Sequence, residues 1–281
     1  MKVFERFRKR FAITMAGVLS ATTLAAPIAP AIVAHAELPA KAGATQLKTF
    51  KDVRDNLQKD AIEVISEEEY CKSDTITGRK EGDTAPDKND CTCFKFHAGV
   101  DGKITFSIFG DGKVYVDFWK ADAEKPELEK ELTLVKDVEN KTDFGNIKLT
   151  AGDYYISFLN MDTKDIKVDI ACVFESKAAT SKLVKVESPS KKALKVTFKK
   201  VKDADGYEVI CATDKYFEKN RVQKAFANKK VKFEKKNGTV TIKKLKKGKK
   251  YYVGVRTYVV KDGKKYFSGW SEYTRKPIKV K

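Results

Sequence analysis

The sequence predicts an all-β protein built from two tandem antiparallel β-sandwiches, with a short helix ahead of the first. Three observations lead to this fold class. From residue 91 onward, short segments alternate apolar and polar residues, turn signals such as GDG and AGD separate these segments, and no helical periodicity intervenes. Several short alternating strands without helices between them are typical of a sandwich.

Charge divides the chain into two parts. Residues 37–181 carry 21 Lys and Arg against 29 Asp and Glu, whereas residues 182–281 carry 31 against 9. The formal net charge of +18 therefore hides an acidic region followed by a strongly basic one. We assign residues 70–181 to the first sandwich and residues 182–281 to the second.

The first 36 residues have the order of an export signal. A basic start is followed by a long uncharged segment that ends in the cleavage pattern of Ala34 and Ala36. An uncleaved membrane anchor is the alternative, but Pro27 and Pro30 and the many small residues make a poor spanning helix. No later segment reaches transmembrane length. We expect a secreted or extracellular protein that is loosely associated with the cell surface.

Residues 37–69 predict a leader and a short amphipathic helix. The leader has no apolar pattern, and Phe50, Val53 and Leu57 then recur at helical spacing. The following segment, residues 72–90, is polar and rich in turn-forming residues. It predicts an exposed loop ahead of the strands.

The first sandwich resembles a known bacterial family. Its segments CTCFKF, GKITFSI and IKLTAGDYYISF are similar in order to the bacterial pre-peptidase C-terminal-type β-sandwich, in which Phe94 and Phe96 would open a core strand. The residues that carry the resemblance are Asp90, Phe94, Lys95, Phe96, Asp101, Gly102, Lys103, Ala151, Gly152, Tyr154 and Tyr155. A tryptophan common in that family is replaced by Cys93. The resemblance implies an accessory module.

The acidic segment of residues 67–90 is the candidate for metal binding. A solvated loop is its simplest interpretation, because no motif selects particular carboxylates and the spacing of an EF-hand is absent. The resemblance to the pre-peptidase family implies calcium as the alternative, since some members carry calcium near this position. The candidate ligands are Glu67, Glu69, Asp83, Asp87 and Asp90.

The five cysteines fall into two groups by strand phase. Two are in phase with apolar neighbours and are expected to be buried thiols: Cys172 and Cys211. Phe94 and Phe96 are expected to face the core, which turns Cys91 and Cys93 to the outer face of the same strand. One extended strand cannot wrap a tetrahedral zinc ion. By elimination, Cys71 is the best disulfide partner for Cys91 or Cys93 in an oxidising compartment, and the third thiol stays exposed or pairs between chains.

The second sandwich resembles a bacterial fibronectin type III domain over essentially all of residues 182–281. The residues that carry the resemblance are Ala204, Gly206, Tyr207, Glu208, Val209, Leu245, Gly248, Tyr251, Val253, Val255, Gly269, Trp270 and Ser271. Leu245 and Tyr251 have the spacing of a tyrosine corner, in which the phenol bonds back to the preceding turn. Phe198 stands where such domains often have a tryptophan. The resemblance implies a structural role for these residues.

Little in the sequence indicates catalysis. After residue 36 the chain retains a single histidine, His97, and residues separated along one extended strand are too far apart for proton transfer to Cys91 or Cys93. We therefore predict no catalytic residue and no enzymatic activity. A hydrolase that uses carboxylates of residues 67–90 is the alternative.

The predicted function is that of an exported binding or adhesion protein. The expected partners of the basic half are an anionic cell-wall polymer, an extracellular glycan or a matrix protein, and not nucleic acid. Lysines that alternate with apolar residues also fit the solvated outer face of a sheet. Tyr115, Trp119 and Tyr155 are candidates for ligand contact through their rings, although a core position suits each of them. A surface component that self-assembles through its acidic and basic halves is the alternative.

Overall fold

The computed structural model describes residues 57–66, 72–80, 90–136 and 146–281. These residues are almost all β in several antiparallel sheets, and a short helical stretch at residues 57–59 precedes the first strand, so the predicted fold class is confirmed. In the part of the chain that the structure describes, no helix is both long and apolar enough to cross a membrane. The predicted export signal lies outside the described residues.

The described residues of the first sandwich form nine strands. They are β1 (Ile62–Glu63), β2 (Lys72–Ile76), β3 (Cys91–Ala98), β4 (Gly102–Phe109), β5 (Gly112–Lys120), β6 (Leu128–Leu134), β7 (Ile147–Leu149), β8 (Gly152–Asn160) and β9 (Ile166–Ser176). One sheet has the order β1-β3-β8-β5-β6, and the other has the order β2-β9-β4-β7. The short β1 runs parallel to β3, and the other neighbours are antiparallel.

Alternate residues of both sheets fill the core of the first sandwich. The rings of Phe94 and Phe158 meet edge to face with centroids 5.9 Å apart. The rings of Phe96 and Phe174 bridge the two sheets at 5.4 Å. Burial of each such side chain contributes about 1.5–3 kcal/mol relative to its exposure. The period of two therefore orients these strands toward a shared apolar interior.

Strand β2 corrects the expectation of a loop over residues 72–90. Residues 72–76 pair along their length with β9, and Ile76 is fully buried in the core. Polar side chains of β2 are satisfied by neighbouring groups: the Ser73 hydroxyl donates to Asp169, and the Thr92 hydroxyl donates to Asp74. Backbone pairing along an edge does not require an alternating apolar pattern, so the polar composition concealed this strand.

Nine further strands form the second sandwich. They are β10 (Leu183–Glu187), β11 (Leu194–Lys199), β12 (Gly206–Ala212), β13 (Val222–Ala227), β14 (Lys232–Glu234), β15 (Asn237–Ile242), β16 (Lys250–Lys261), β17 (Lys264–Phe267) and β18 (Ile278–Lys279). The sheet β10-β11-β15-β14 packs on the sheet β13-β12-β16-β17, and β18 pairs with β16. This division of strands between two sheets is that of immunoglobulin-like sandwiches.

The core of the second sandwich is separate from that of the first. Phe198 and Tyr207 lie at its centre, fully buried, with ring centroids 4.4 Å apart. The Tyr207 hydroxyl accepts a hydrogen bond of 2.7 Å from the backbone N–H of Val201. A buried phenol is therefore kept satisfied within an apolar interior.

The two sandwiches meet through strand β17. Tyr266 packs against the first core, with its ring edge to face on Phe174 at 6.4 Å, and its carbonyl accepts from the Ser176 hydroxyl at 3.3 Å. Gly99 lies so close that a Cβ there would be 2.0 Å from Tyr266 Oη. A second link runs from the Thr257 hydroxyl to the Ala179 carbonyl at 2.8 Å.

Candidate functional site

The outer face of the sheet β1-β3-β8-β5-β6, the side turned away from the core, carries the three aromatic residues predicted to contact a ligand. Tyr115 and Trp119 share one phase of β5, and Tyr155 of β8 is the cross-strand partner of Trp119. The Trp119 and Tyr155 rings stack with centroids 5.7 Å apart and an interplanar angle of 20°. The fold therefore brings all three residues onto one surface.

Burial separates Trp119 from the two tyrosines. Trp119 is 0% exposed although its phase places it on the outer face, whereas Tyr115 and Tyr155 are half-buried. Trp119 therefore presents no ring face to a ligand, and contact on this surface is limited to the two tyrosines. Strand phase determines the side of the sheet but not what covers it, so the sequence did not reveal this difference.

Two carboxylates lie beside Tyr115. Asp117 of β5 and Glu129 of β6 are cross-strand partners, and Tyr115 Oη donates to Glu129 Oε2 at 3.2 Å. Burial raises the pKa of Asp117 to about 7, and the charge of Glu129 adds to the rise. Asp117 Oδ1 is buried and accepts no hydrogen bond from the described residues. Burial, followed by both carboxylates, also raises the pKa of Tyr115, which keeps its hydroxyl a neutral donor.

The outer face of β3 holds the cysteine pair. Cys93 is 5% exposed, and its Sγ lies 3.9 Å from the carbonyl oxygen of Phe94. Burial, with Cys91 as a second cause, raises the pKa of the Cys93 thiol far above its ordinary value, so this thiol is protonated and a weak nucleophile. Cys71 lies outside the described residues, and its disulfide stays a prediction. The remaining two cysteines are buried in the two cores: Cys172 and Cys211.

His97 occupies an exposed position near the end of β3. Its Nδ1 atom lies 2.6 Å from Oδ1 of Asp153, the cross-strand partner on β8. About half of each side chain remains exposed, at 52% and 58%. The pair therefore lies on the surface of the sheet and not in a cleft.

One of the five predicted calcium ligands can be placed. Asp90 is 5% exposed, and its Oδ2 lies 4.0 Å from Nε of Arg79, whose positive charge opposes a cation at this carboxylate. The other four fall outside the described residues: Glu67, Glu69, Asp83 and Asp87. Within the described ranges, no group of three or more side chains that could hold a metal occurs. Calcium binding stays a prediction.

Trp270 belongs to a packed stack on the second sandwich. The Arg256 guanidinium lies 4.3 Å from the Trp270 ring and 4.0 Å from the Phe267 ring. Arg256 Nη2 also lies 2.7 Å from Oε2 of Glu208, and both charged residues are buried. The stack covers the β13-β12-β16-β17 sheet, and its cation is already neutralised, so it stabilises the fold.

One end of the second sandwich collects lysines from three separate segments. We call this end the lysine pole, and it consists of Lys191, Lys192, Lys243, Lys244, Lys246, Lys247, Lys249, Lys250 and Lys279. All nine side chains are exposed. The segments are the turn before β11, the loop between β15 and β16, and β18 with the residues around it. None of these segments contains an acidic residue.

Backbone hydrogen bonds hold the three segments together. Leu245 N donates to the Lys192 carbonyl at 3.0 Å, and Lys192 N donates to the Lys281 carbonyl at 2.9 Å. Gly248 N donates to the Val280 carbonyl at 2.8 Å. Beneath the loop, Tyr251 Oη accepts a bond of 3.1 Å from Lys246 N, while Leu245, Tyr251 and Val280 are buried. The lysines therefore extend from a backbone that the core anchors.

The sequence suggested a different place for several of these lysines. Lysines that alternate with apolar residues fit the outer face of a sheet, but β15 ends at Ile242, and residues 243–249 of the run KKLKKGKK form a loop before β16 begins at Lys250. Two features of the sequence indicate a loop here. The consecutive lysine pairs break the period of two, and Gly248 suits a turn, where it adopts a φ of +76°. The convergence with Lys191, Lys192 and Lys279 required the tertiary structure.

No family model and no curated protein matches the chain. Its similarities to solved structures are weak. Chicken CNTN1 FN1–FN3 domains match at 17% identity over 61% of this chain and 52% of that one, with a TM-score of 0.25. A β-D-glucuronidase of Dictyoglomus thermophilum matches at 12% over 78% and 45%, with a TM-score of 0.21. A β-1,2-glucanase of Parabacteroides distasonis matches at 9% over 64% and 30%, with a TM-score of 0.20.

The chain thus spans about half of the first of these structures and less of the other two. The first neighbour is a tandem of fibronectin-type domains. Both family resemblances stay predictions from the sequence.

Proposed function

We propose that this chain is an exported, non-catalytic binding protein whose basic second sandwich holds it on anionic surfaces while the acidic first sandwich recognises a further ligand. The observation that carries the proposal is the convergence of nine exposed lysines, without an acidic neighbour in their segments, at one end of the second sandwich. The positive electrostatic potential of these lysines attracts polyanions, and the attraction weakens as salt screens the charges.

The proposed recognition surface is the outer face of the first sandwich. Tyr115 and Tyr155 offer partly exposed rings there, beside the carboxylates of Asp117 and Glu129. Aromatic rings next to hydrogen-bonding carboxylates suit a glycan, whose sugar faces are apolar and whose edges carry hydroxyls. The two proposed functions therefore occupy different sandwiches.

Sedimentation with purified bacterial cell wall at 50 mM and 500 mM salt tests the retention role. We expect the full chain to sediment with the wall at the lower salt and to remain in the supernatant at the higher salt. A chain that stays in the supernatant at both salt concentrations would show that the basic sandwich does not retain it.

Self-assembly is the competing proposal, because the two halves carry opposite net charge. It predicts that the protein alone forms oligomers at low salt and dissociates at high salt. Sedimentation velocity over a range of protein concentrations separates the two: a monomer at both salt concentrations favours retention on an external polyanion.

A further inference from the structure

We propose that the lysine pole is the contact site for a linear polymer that carries phosphate groups along its backbone, and that the protein binds it end-on, with the first sandwich pointing away. The inference deepens the proposed function and rests on it. It names the surface used, the chemistry of the ligand and the orientation of the bound protein.

The three segments of the pole contain no acidic side chain. The loop between β12 and β13 at the same end contains Asp214 and Glu218, but the Asp214 carboxylate there accepts backbone N–H groups of its own loop. On the outer face of the β10-β11-β15-β14 sheet, Glu187 lies 2.6 Å from Lys185 and Glu234 lies 3.1 Å from Lys232. The loops at the opposite end contain acidic residues of their own: Asp203, Asp205 and Asp262. Within the described residues, none of the nine pole lysines forms an ion pair with a carboxylate. An external polyanion therefore meets less competition at the pole.

The residue types at the pole indicate how the ligand is recognised. Every basic residue of the pole is lysine, a compact point charge that binds phosphate without the planar two-point geometry of arginine. The three segments, residues 188–193, 243–250 and 276–281, contain no aromatic residue that could stack on a base. The exposed Tyr216 of the neighbouring β12–β13 loop lies outside them, and Lys215 covers its ring at 4.9 Å. Recognition there depends on charge density and not on the shape of a monomer.

A densely charged polymer gains most from such a surface. Binding releases the counterions condensed on the polymer, and each neutralised phosphate contributes about 0.7–0.9 to the slope of log affinity against log salt. A glycan with widely spaced carboxylates would leave most of the nine lysines unpaired. A polyphosphate-like chain can neutralise several of them together.

The position of the pole sets the orientation. Strand β16 begins at the pole with Lys250 and passes Thr257, the residue that bonds to the connection between the sandwiches. At about 3.3 Å per residue, the strand separates the pole from Val259, the partner of Tyr266, by about 30 Å. The first sandwich therefore lies at the far end from a polymer bound at the pole.

A matched pair of five-lysine variants of the full chain tests the site. The pole variant replaces Lys191, Lys243, Lys246, Lys247 and Lys249 by Gln. The control variant replaces Lys199, Lys202, Lys229, Lys230 and Lys236 by Gln, which are exposed lysines at the opposite end. Both variants lose the same charge, so a difference between them reports position. Lysine-to-arginine replacements at the five pole positions preserve the charge.

Binding is measured by fluorescence anisotropy with labelled inorganic polyphosphate at 50–300 mM salt. We expect the pole variant to bind at least about 100-fold more weakly at 50 mM, with a salt slope smaller by about 3, and the control variant to bind nearly as the original chain does. The arginine variant should retain binding. Chemical acetylation of the unmodified chain gives the same test without a substitution. Bound polyphosphate should protect the pole lysines from acetylation and should not protect Lys95 and Lys120 on the first sandwich.

Each other outcome overturns a defined part of the inference. Equal losses in the two variants show that the lysine pole is not the binding site and leave the retention role in place. No binding of the original chain at 50 mM salt to polyphosphate, polyglutamate or single-stranded DNA refutes both. Equal affinity for polyglutamate of matched charge refutes the phosphate preference. Single-stranded DNA that binds more than about 10-fold tighter would show base recognition. Self-association lost in the pole variant would identify a second copy as the occupant.

Discussion

Replacement of Tyr251 by Phe is expected to destabilise the second sandwich and to loosen the loop that carries most of the lysine pole. The Tyr251 ring is 1% exposed, and its hydroxyl accepts the 3.1 Å hydrogen bond from Lys246 N. Phe preserves the ring and removes the acceptor. The N–H of Lys246 then loses its partner inside a tight turn.

The expected magnitude follows from the surroundings of that bond. A buried donor left unsatisfied costs about 1–3 kcal/mol, and the exposed side of the loop lets water recover part of this cost. We therefore expect a loss of about 1–1.5 kcal/mol in the free energy of unfolding. For a sandwich of this size, that loss lowers Tm by about 5–10 °C.

The assay uses the two tryptophans, since each sandwich contains one. In a Trp119→Phe background, Trp270 emission reports urea unfolding of the second sandwich alone. Tyr252→Phe is the matched control, because this neighbouring phenol is half-buried on the outer face and its ring meets Tyr273 edge to face at 5.8 Å. Equal stability of the two variants would refute the assignment of a stabilising bond to Tyr251.

Three further predictions concern the contact between the sandwiches and two buried charges. Gly99→Ala should displace the Tyr266 ring, since the new Cβ would lie 2.0 Å from its hydroxyl, and trypsin should then cleave the connection at residues 177–182 faster. Glu208→Gln should destabilise the second sandwich by about 3 kcal/mol, because the buried Arg256 guanidinium loses its counter-charge. Urea unfolding measures this loss in the free energy of unfolding. The pKa of Asp117 is about 7 in the folded protein and about 4 in the unfolded chain, because burial favours the protonated carboxyl group. The protonated side chain therefore contributes its full stability below pH 4, and this contribution is lost as the pH rises through 7. Asp117→Asn should therefore leave stability unchanged at pH 4 and raise it by about 2–4 kcal/mol at pH 8, followed through Trp119 emission.

Each of these predictions has its own control. Tyr266→Ala should permit Gly99→Ala without further effect on cleavage, because the clash is gone. Joint replacement of Glu208 and Arg256 by Leu and Met should recover part of the lost stability, and no recovery would argue against an isolated charge as the cause. An Asp117→Asn variant that is less stable than the original chain at pH 8 would contradict the raised pKa.

Local sequence patterns were sufficient wherever structure depends on neighbouring residues. The period of two orients Phe94 and Phe96 toward the core and turns Cys91 and Cys93 to the opposite face. The fold class follows from the same period. Strand β2 was missed because an edge strand with polar side chains is held by backbone pairing with β9, which leaves no apolar signal in its own composition.

The arrangement of the candidate site residues could not be predicted from the sequence. Tyr115, Trp119 and Tyr155 share one face because β5 pairs with β8, a contact between residues about forty positions apart. Burial then removes Trp119 from the surface. No local pattern reports either fact, since both depend on which strands become neighbours.

The sequence by itself determined the all-β character, the phase of the long strands and the separation of an acidic half from a basic half, because each is a property of composition or of adjacent residues. Tertiary structure alone decided that nine lysines from three segments meet at one end. Their meeting depends on hydrogen bonds such as those of Lys192 with Leu245 and Lys281, which form only when the two sheets pack. The sequence determines the number of charged residues, and folding brings the lysines together at one pole.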